Sequence, residues 1–433
     1  MTLRTLHIMV LAAAVVASAG CSTAGGEPML DPSTPSDAPS AAMAPVVPVV
    51  DPVVEQVSFE TWLANFRIEA RAAGISAATV DGSLTRLRIL PDVLTADSSQ
   101  PEFVRPVWSY LDGALNEARV NRGRDQLNTQ RALLGGISRD YGVPPETIVA
   151  VWAMESNFGT NIGSYNVVEA LATLAWHGRR AAFAREQLLA ALRIIDQGDA
   201  APDRLIGSWA GAMGQTQFMP TTFASHAVDR DGDGRRDLWT SLPDVFASTA
   251  NYLHDVGWRA GEPWGAEVVL PAGFDYEQAE LTVRKPVAEW RRLGIRQVAD
   301  TKPLPDQADA SVLLPAGYRG AAFLVLNNFR SILRYNNSSS YGLAVAYLSD
   351  RMAGLPGIQG GWPREERSLS RDERFELQRL LAGRGHAAGT PDGIIGANTR
   401  GAIRAFQKSQ NLPADGFASS PLLDRLRLTA SAS

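Results

Sequence analysis

Apolar residues recur three and four positions apart over most of this chain, and that period admits helices and little else. The pattern opens at Phe59, Trp62, Leu63 and Phe66, just after Ser58, and continues with breaks to about Val256. It predicts helices over Phe103 to Ala118, Leu127 to Tyr141, Pro145 to Phe158 and Arg180 to Gln197. Between Gly261 and Gly320 the character changes. Glycine and proline increase, and short β-prone runs stand at Val268–Leu270 and Ser311–Leu314, each leading into Leu-Pro-Ala-Gly. A small strand-containing subdomain inserted in a helical domain accounts for this. Helical spacing returns at Phe323–Leu333 and Gly342–Met352. Gly354–Pro363, with four glycines and two prolines, reads as a linker that lets the units on either side fold separately. From Leu369 to about Leu428 the chain is short and free of cysteine, and three small helices around one core are its simplest fold.

A chain of 433 residues has the length of two or three domains. Its formal charge of -5 lacks the basic surplus of a nucleic-acid binder, and its acidic residues form no single block that would read as a tail. Cys21 is the one cysteine, so neither an intramolecular disulfide nor a thiolate metal cluster can form.

That cysteine closes a distinct N-terminal segment. Arg4 lies in a basic start, an apolar run follows from Ile8 to Ala17, and Ser18, Ala19 and Gly20 precede Cys21. This is the plan of a secretory signal, and the run is too short to span a bilayer comfortably. With small residues before the cysteine, residues 1–21 resemble a bacterial lipoprotein signal, with Ser18 where leucine is usual. The resemblance implies lipidation at Cys21, and the non-acidic Ser22 implies the outer membrane, with the protein in the periplasm. Ordinary secretion with an incidental cysteine is the alternative. Residues 22–55, rich in Pro, Ala, Ser and Val and without aromatics, cannot bury enough surface to fold and read as a disordered tether.

Pro144-Pro145-Glu146 opens a helix well, since proline suits the first turn and an acidic residue there complements the dipole. Glu155 falls near the other end of that helix, on the face of Ile148, Val151 and Trp152. Apolar neighbours and the helix C-terminus both push a carboxyl pKa upward, which suits a general acid working near neutral pH. On this segment alone, a surface glutamate at a frayed helix end is the simpler account. The surrounding motifs reverse that judgement. Glu155-Ser156-Asn157-Phe158-Gly159 is followed by Asn166, by a helix through Glu169 to Trp176, and by Gly207-Ser208-Trp209-Ala210-Gly211-Ala212-Met213-Gly214-Gln215-Thr216-Gln217-Phe218-Met219-Pro220. Asn251-Tyr252, Arg334-Tyr335-Asn336 and Tyr341 come later. In this order the set resembles the membrane-bound lytic murein transglycosylase B family, from about Ser58 to Met352.

The small residues Gly211, Ala212 and Gly214 let a backbone approach a sugar closely, and equally suit a tight internal contact. Ser208 and Gln217 can hydrogen-bond sugar hydroxyl or acetamido groups, and Tyr252, Tyr335 and Tyr341 suit a carbohydrate groove, with Asn336 beside them. A core tyrosine is the bland alternative, above all for Tyr252. No second carboxylate stands out as a partner, although ordinary glycosidases need two. The resemblance implies a reason. In such lyases one glutamate protonates the leaving oxygen, and the N-acetyl group of MurNAc stabilises the developing charge. The same glutamate then takes the C6 hydroxyl proton as a 1,6-anhydro ring closes. No cofactor is required for that chemistry.

Asp229, Asp231 and Asp233 alternate, Gly234 stands sixth, the Arg235 carbonyl seventh and Asp237 ninth, which is the oxygen-ligand spacing of an EF-hand loop. Thr240 occupies the twelfth position in place of a glutamate. The family resemblance implies that a later aspartate, here Asp244, closes a structural Ca2+ site. A solvated acidic turn neutralised by Arg235 and Arg236 is the alternative.

In the last unit Leu377, Leu380 and Leu381 form an apolar stripe, Asp392-Gly393 makes a turn, a helix runs through Ile403, Phe406 and Gln407, and Asp415-Gly416 makes a second turn. This resembles the small three-helix peptidoglycan-binding domains. The expectation is therefore a mainly α protein. A lysozyme-like helical catalytic domain over 56–353 carries a small inserted β-containing subdomain. A linker at 354–367 leads to a three-helix peptidoglycan-binding domain at 368–430. Its partner would be the peptidoglycan glycan strand, with other cell-wall enzymes open. A hydrolytic muramidase and a non-catalytic wall-binding scaffold are the competing readings.

Overall fold

A computed structural model of the chain describes residues 57–98 and 105–430. The signal segment with Cys21 and the tether fall outside these residues. No helix among the described residues is long and apolar enough to cross a membrane.

Two helical lobes meet along a seam. The first gathers helices Phe59–Ala72, Ala77–Leu84, Pro91–Ser98, Val167–His177, Ala181–Asp196 and Pro220–His226. Ser58 caps its first helix by accepting from Thr61 N, and Phe59, Trp62 and Phe66 stack along the buried face, with ring centroids 5.8 and 5.3 Å apart. The second lobe is built on Pro145–Ser156, nine of whose twelve residues are buried. Helices Val107–Ala114, Glu117–Thr129, Arg131–Tyr141, Leu242–Asp255, Asn327–Tyr335 and Ser339–Met352 complete this lobe. Tyr252 and Tyr335 pack against both cores, which places them in the seam. The run expected as one helix from Leu127 to Tyr141 belongs to two, because Gln130 leaves helical geometry at φ -100°, ψ 17°.

Seven short strands are present among the described residues. A two-stranded ribbon joins β1 (Tyr165–Asn166) to β2 (Ile206–Gly207). The others are β3 (Gly265–Val269), β4 (Lys285–Pro286), β5 (Arg296–Gln297), β6 (Asp309–Leu313) and β7 (Ala322–Val325). They form one antiparallel sheet in the order β4-β6-β7-β3-β5. The sheet is the inserted subdomain, but it extends further than its sequence suggested. Phe323–Val325, expected within a helix, is the central strand β7, and the helix starts only at Asn327. A strand buried on both faces reads as a continuous apolar run, which periodicity cannot separate from a buried helix.

The C-terminal unit is three helices, Arg371–Ala382, Ala397–Ser409 and Ser420–Ala430, around Leu377, Leu381, Ile403, Phe406 and Leu423. Each Asp-Gly turn is locked by one buried glutamine. Gln378 accepts from the N–H groups of Asp392 and Gly393 and donates to Asp392 Oδ1, Ile394 O and Thr399 Oγ1. Gln407 accepts from Gly416 N and donates to Asp415 Oδ1. Gly393 and Gly416 sit at φ 75° and 73°, where a side chain would be strained.

Gly354–Pro363 is irregular, as its composition suggests, but it is fastened down rather than free. Buried Glu267 on β3 accepts from Gln359 N and Gly360 N, and Trp362 packs against Trp108 and Phe323. Arg364 pairs with Asp112 at 2.7 Å. The small domain then docks on the inserted subdomain by matched charge. Arg400, Arg404 and Lys408, on successive turns of one helix, face Glu280 and Glu277, and Asp415 accepts from Tyr318 N at 2.9 Å. Backbone groups that a mobile linker would leave to water are here held by a buried carboxylate.

Candidate active site

Helix Pro145–Ser156 ends abruptly. Asn157 caps it in the left-handed region at φ 49°, and Phe158 and Gly159 follow at φ 60° and 75°. Two non-glycine residues in that region cost energy and persist only where their surroundings hold them. Here Ser156 Oγ accepts from Gly159 N at 3.0 Å, and the Phe158 ring meets Trp152 edge-on at 5.4 Å. Trp152 Nε1 in turn donates to Gln215 Oε1 at 2.8 Å, while Gln215 Nε2 donates to Trp239 O. Gln215 therefore ties the glutamate helix to the glycine-rich loop and to the end of the acidic loop.

Glu155 sits on the last turn of this helix, partly buried. Among the described residues, the one side-chain hydrogen bond to it comes from Tyr341, whose hydroxyl donates to Oε1 at 2.6 Å. Burial pushes the carboxyl up to about 7, against the opposing pull of the Tyr341 hydrogen bond. Desolvation by the apolar lobe is thus the main cause, the first of the two effects that the sequence suggested.

Tyrosines surround it. Burial, together with the nearby Glu155 charge, raises the phenols of Tyr335 and Tyr341 well above their ordinary value and that of Tyr110 to about 12. Tyr335 donates to Thr216 O at 2.7 Å and Tyr252 to Arg334 O at 2.6 Å. Their rings meet at 4.9 Å, with Phe218 5.7 and 5.8 Å away and His226 4.9 Å from Tyr252. Glu155, Tyr335 and Tyr341 thus come together, while Tyr252 braces the seam behind them. Asn336, buried at the end of its helix, carries no side-chain hydrogen bond among the described residues.

Ser208 and Gln217 lie on the glycine-rich loop. Ser208 Oγ accepts from Ala212 N at 3.0 Å, so the hydroxyl proton remains free to donate. Gln217, at φ 51°, uses its amide nitrogen on Ile162 O and Gly214 O, leaving its oxygen without a protein partner among the described residues. The glycines make room for the protein's own chain. A Cβ on Gly214 would lie 2.6 Å from Leu238 O, and one on Gly211 2.6 Å from Leu171. Tyr110 was missed in the sequence. It stands alone on its helix, and nothing along the chain connects it to Glu155.

The acidic loop lies beyond Trp239. Carboxylate oxygens of Asp229, Asp231 and Asp244 fall within 4.8 Å of one another. Asp244 is fully buried, accepts from the N–H groups of Arg230, Asp231 and Asp237, and has its carboxyl pushed up, chiefly by burial. Asp233, expected in the same ligand set, stands outside this trio, while Arg235 was expected through its backbone carbonyl. Asp233 is exposed and holds both the Arg235 N–H and its guanidinium, a charge pair closed within the loop. Asp237 caps the following turn at Trp239 and Thr240, and Arg236 pairs with Asp199.

Comparison with known proteins gives the family of this chain. The Transglycosylase SLT domain family matches residues 58–350, and a peptidoglycan binding domain family matches 370–426. The chain belongs to the transglycosylase SLT family. It is 35% identical over 274 residues to membrane-bound lytic murein transglycosylase B of Escherichia coli (strain K12), covering 62% of this chain and 67% of that one. The crystal structure of SltB3 from Pseudomonas aeruginosa in complex with NAG-anhNAM-pentapeptide is 56% identical. It covers 86% of this chain and 99% of its own, with a TM-score of 0.83. The Escherichia coli lytic transglycosylase Slt35 in complex with calcium is 29% identical, with a TM-score of 0.59 over 67% of this chain and 92% of its own. The lysozyme-like, mainly helical fold expected from the sequence is the fold of these enzymes.

Proposed function

We propose that this protein is a lytic transglycosylase that cleaves the β-1,4 bond between MurNAc and GlcNAc in peptidoglycan and leaves 1,6-anhydroMurNAc ends. The observation that carries the reading is Glu155, a carboxyl raised to about 7 whose hydrogen-bond partner is a neutral tyrosine. Among the described residues, the groups acting on its charge include no second carboxylate. An ordinary glycosidase uses a paired carboxylate to activate water or attack the sugar.

Tyr341 occupies Oε1, so the proton of neutral Glu155 belongs on Oε2. Oε2 gives that proton to the GlcNAc O4 as the bond from MurNAc C1 breaks. The MurNAc N-acetyl group stabilises the positive charge. Glu155, now ionised, takes the C6 hydroxyl proton as O6 bonds to C1, and no water is consumed. The nucleophile is already in the substrate, so orientation replaces activation of a second reactant. Mass spectrometry of the products released from sacculi tests this: anhydro ends support it, and reducing ends would establish a muramidase instead.

The trio Asp229, Asp231 and Asp244 fits a hard divalent cation with oxygen ligands, calcium before magnesium, with a structural role in holding the loop beside Trp239. The small C-terminal domain keeps the enzyme on its polymer. Cys21 is the attachment point of a lipid that holds the protein at the outer membrane. A Cys21→Ala variant that stays with the membrane fraction would refute the anchor.

A further inference from the structure

A cleft of about 500 Å³ lies where the small domain meets the inserted subdomain and the start of helix Ser339–Met352. Ser339 and Ser340 line it, and the next residue is Tyr341, the partner of Glu155. The charge of the cleft is unbalanced. Five arginines line it: Arg105, Arg367, Arg374, Arg400 and Arg404. The three carboxylates in its walls are already engaged. Glu280 is held by Arg400 and Arg404, Glu366 by Arg319, and Asp415 by Gln407 and the N–H groups of Tyr318 and Phe417. Arg367 is engaged by Glu373.

Arg374 and Arg105 remain. Neither guanidinium has an ion pair or hydrogen bond among the described residues, and Arg374 Nε is buried with no partner. Burial and the neighbouring charge of Arg371 both disfavour the Arg374 cation. Holding the partly buried Arg374 guanidinium unpaired costs free energy that a carboxylate would recover, because its two oxygens match the planar fork; Arg105 is exposed and adds a second positive charge to the cleft. The sugars of peptidoglycan are uncharged once the lactyl group of MurNAc is amidated. The negative charge the substrate brings therefore resides in its peptide stem.

We propose that this cleft receives a carboxylate of the peptide stem, held by Arg374 of the small domain and Arg105 of the catalytic domain. The proposal rests on the lytic transglycosylase reading and adds a determinant of stem recognition to it. Docking of the small domain then completes a substrate site as well as tethering the enzyme to its polymer.

The test uses the full chain and two tetrasaccharides, one bearing pentapeptide stems and one with the lactyl carboxyls simply amidated. In Arg374→Gln the ratio of kcat/KM, stem-bearing over stem-free, is expected to fall about tenfold, mainly through KM, as one charge-assisted contact is lost. Arg374→Lys should recover part of that ratio. Equal losses on both substrates, or an unmoved ratio, would overturn the stem site while leaving the transglycosylase reading intact. A wild-type protein that forms anhydro ends from neither would overturn both. If Arg374→Gln fails to fold, Arg105→Gln asks the same question from the catalytic domain, with the same ratio expected.

Discussion

Replacing Glu155 with glutamine keeps the shape of the side chain and removes its titration, so it separates what the carboxyl does in catalysis from what it costs the fold. Burial raises this carboxyl from 4.5 to about 7. Below pH 4.5 the folded and unfolded chains both hold the proton, and the position costs nothing. Between those values the unfolded chain ionises first, so the wild type loses stability as pH rises; above 7 the loss is complete. A rise of that size is worth about 3 kcal/mol. Glu155→Gln is therefore expected to match the wild type near pH 4 and to exceed it by about that amount at pH 8. This corresponds to a gain on the order of 5 °C in the melting temperature of the catalytic domain. Scanning calorimetry from pH 4 to 8.5 measures the gap, and product analysis on sacculi measures activity, expected to vanish. A gap that does not grow with pH would refute the burial argument. Activity above a few per cent of wild type would show that Glu155 is not the acid.

Three further outcomes follow from the same geometry. Tyr341→Phe removes a hydrogen bond that holds the Glu155 carboxyl down, so its pKa should rise and the alkaline limb of the rate profile should move to higher pH; a limb that stays put would break the coupling. Gln407→Leu strands the Gly416 N–H and takes one of three donors from Asp415, and should destabilise the small domain by about 2 kcal/mol in urea melts, whereas a surface-like change near zero would mean the turn is not held by this amide. Calcium should raise the melting temperature of the wild type, and Asp231→Asn, an exposed member of the acidic trio, should abolish the rise; an unmoved melting temperature with calcium or chelator would make the loop a plain acidic turn.

That a carboxyl stands at the end of an apolar helix was legible because that signal is local, whereas its proposed role as the acid came from the set of motifs spread along the chain. Pro145, the apolar face and Asn157 lie within one helix and its cap, and short-range rules read such segments well. The same holds for the Asp-Gly turns and the alternating aspartates, whose geometry is set by neighbours in the chain. Asp233 shows the limit of spacing. It has the ligand position by count, yet its side chain turns to Arg235, a choice decided by which opposite charge is near in space.

By itself, then, the sequence determined where most of the helices form, which carboxyl stands at a helix end among apolar residues, and which turns need glycine. These are consequences of backbone sterics and of side chains a few positions apart. Only the tertiary structure decided what those elements meet. Tyr341 reaches Glu155 across 186 positions, and Tyr110 approaches the same charge from a helix that carries no motif. β7 is a strand because β3 and β6 flank it, although its apolar run suits a helix as well. The segment after Gly354 is anchored because Glu267, on a strand some 90 residues earlier, is buried beside it and needs donors. Desolvation and long-range pairing arise only when distant segments exclude water together, and no pattern along the chain records that event.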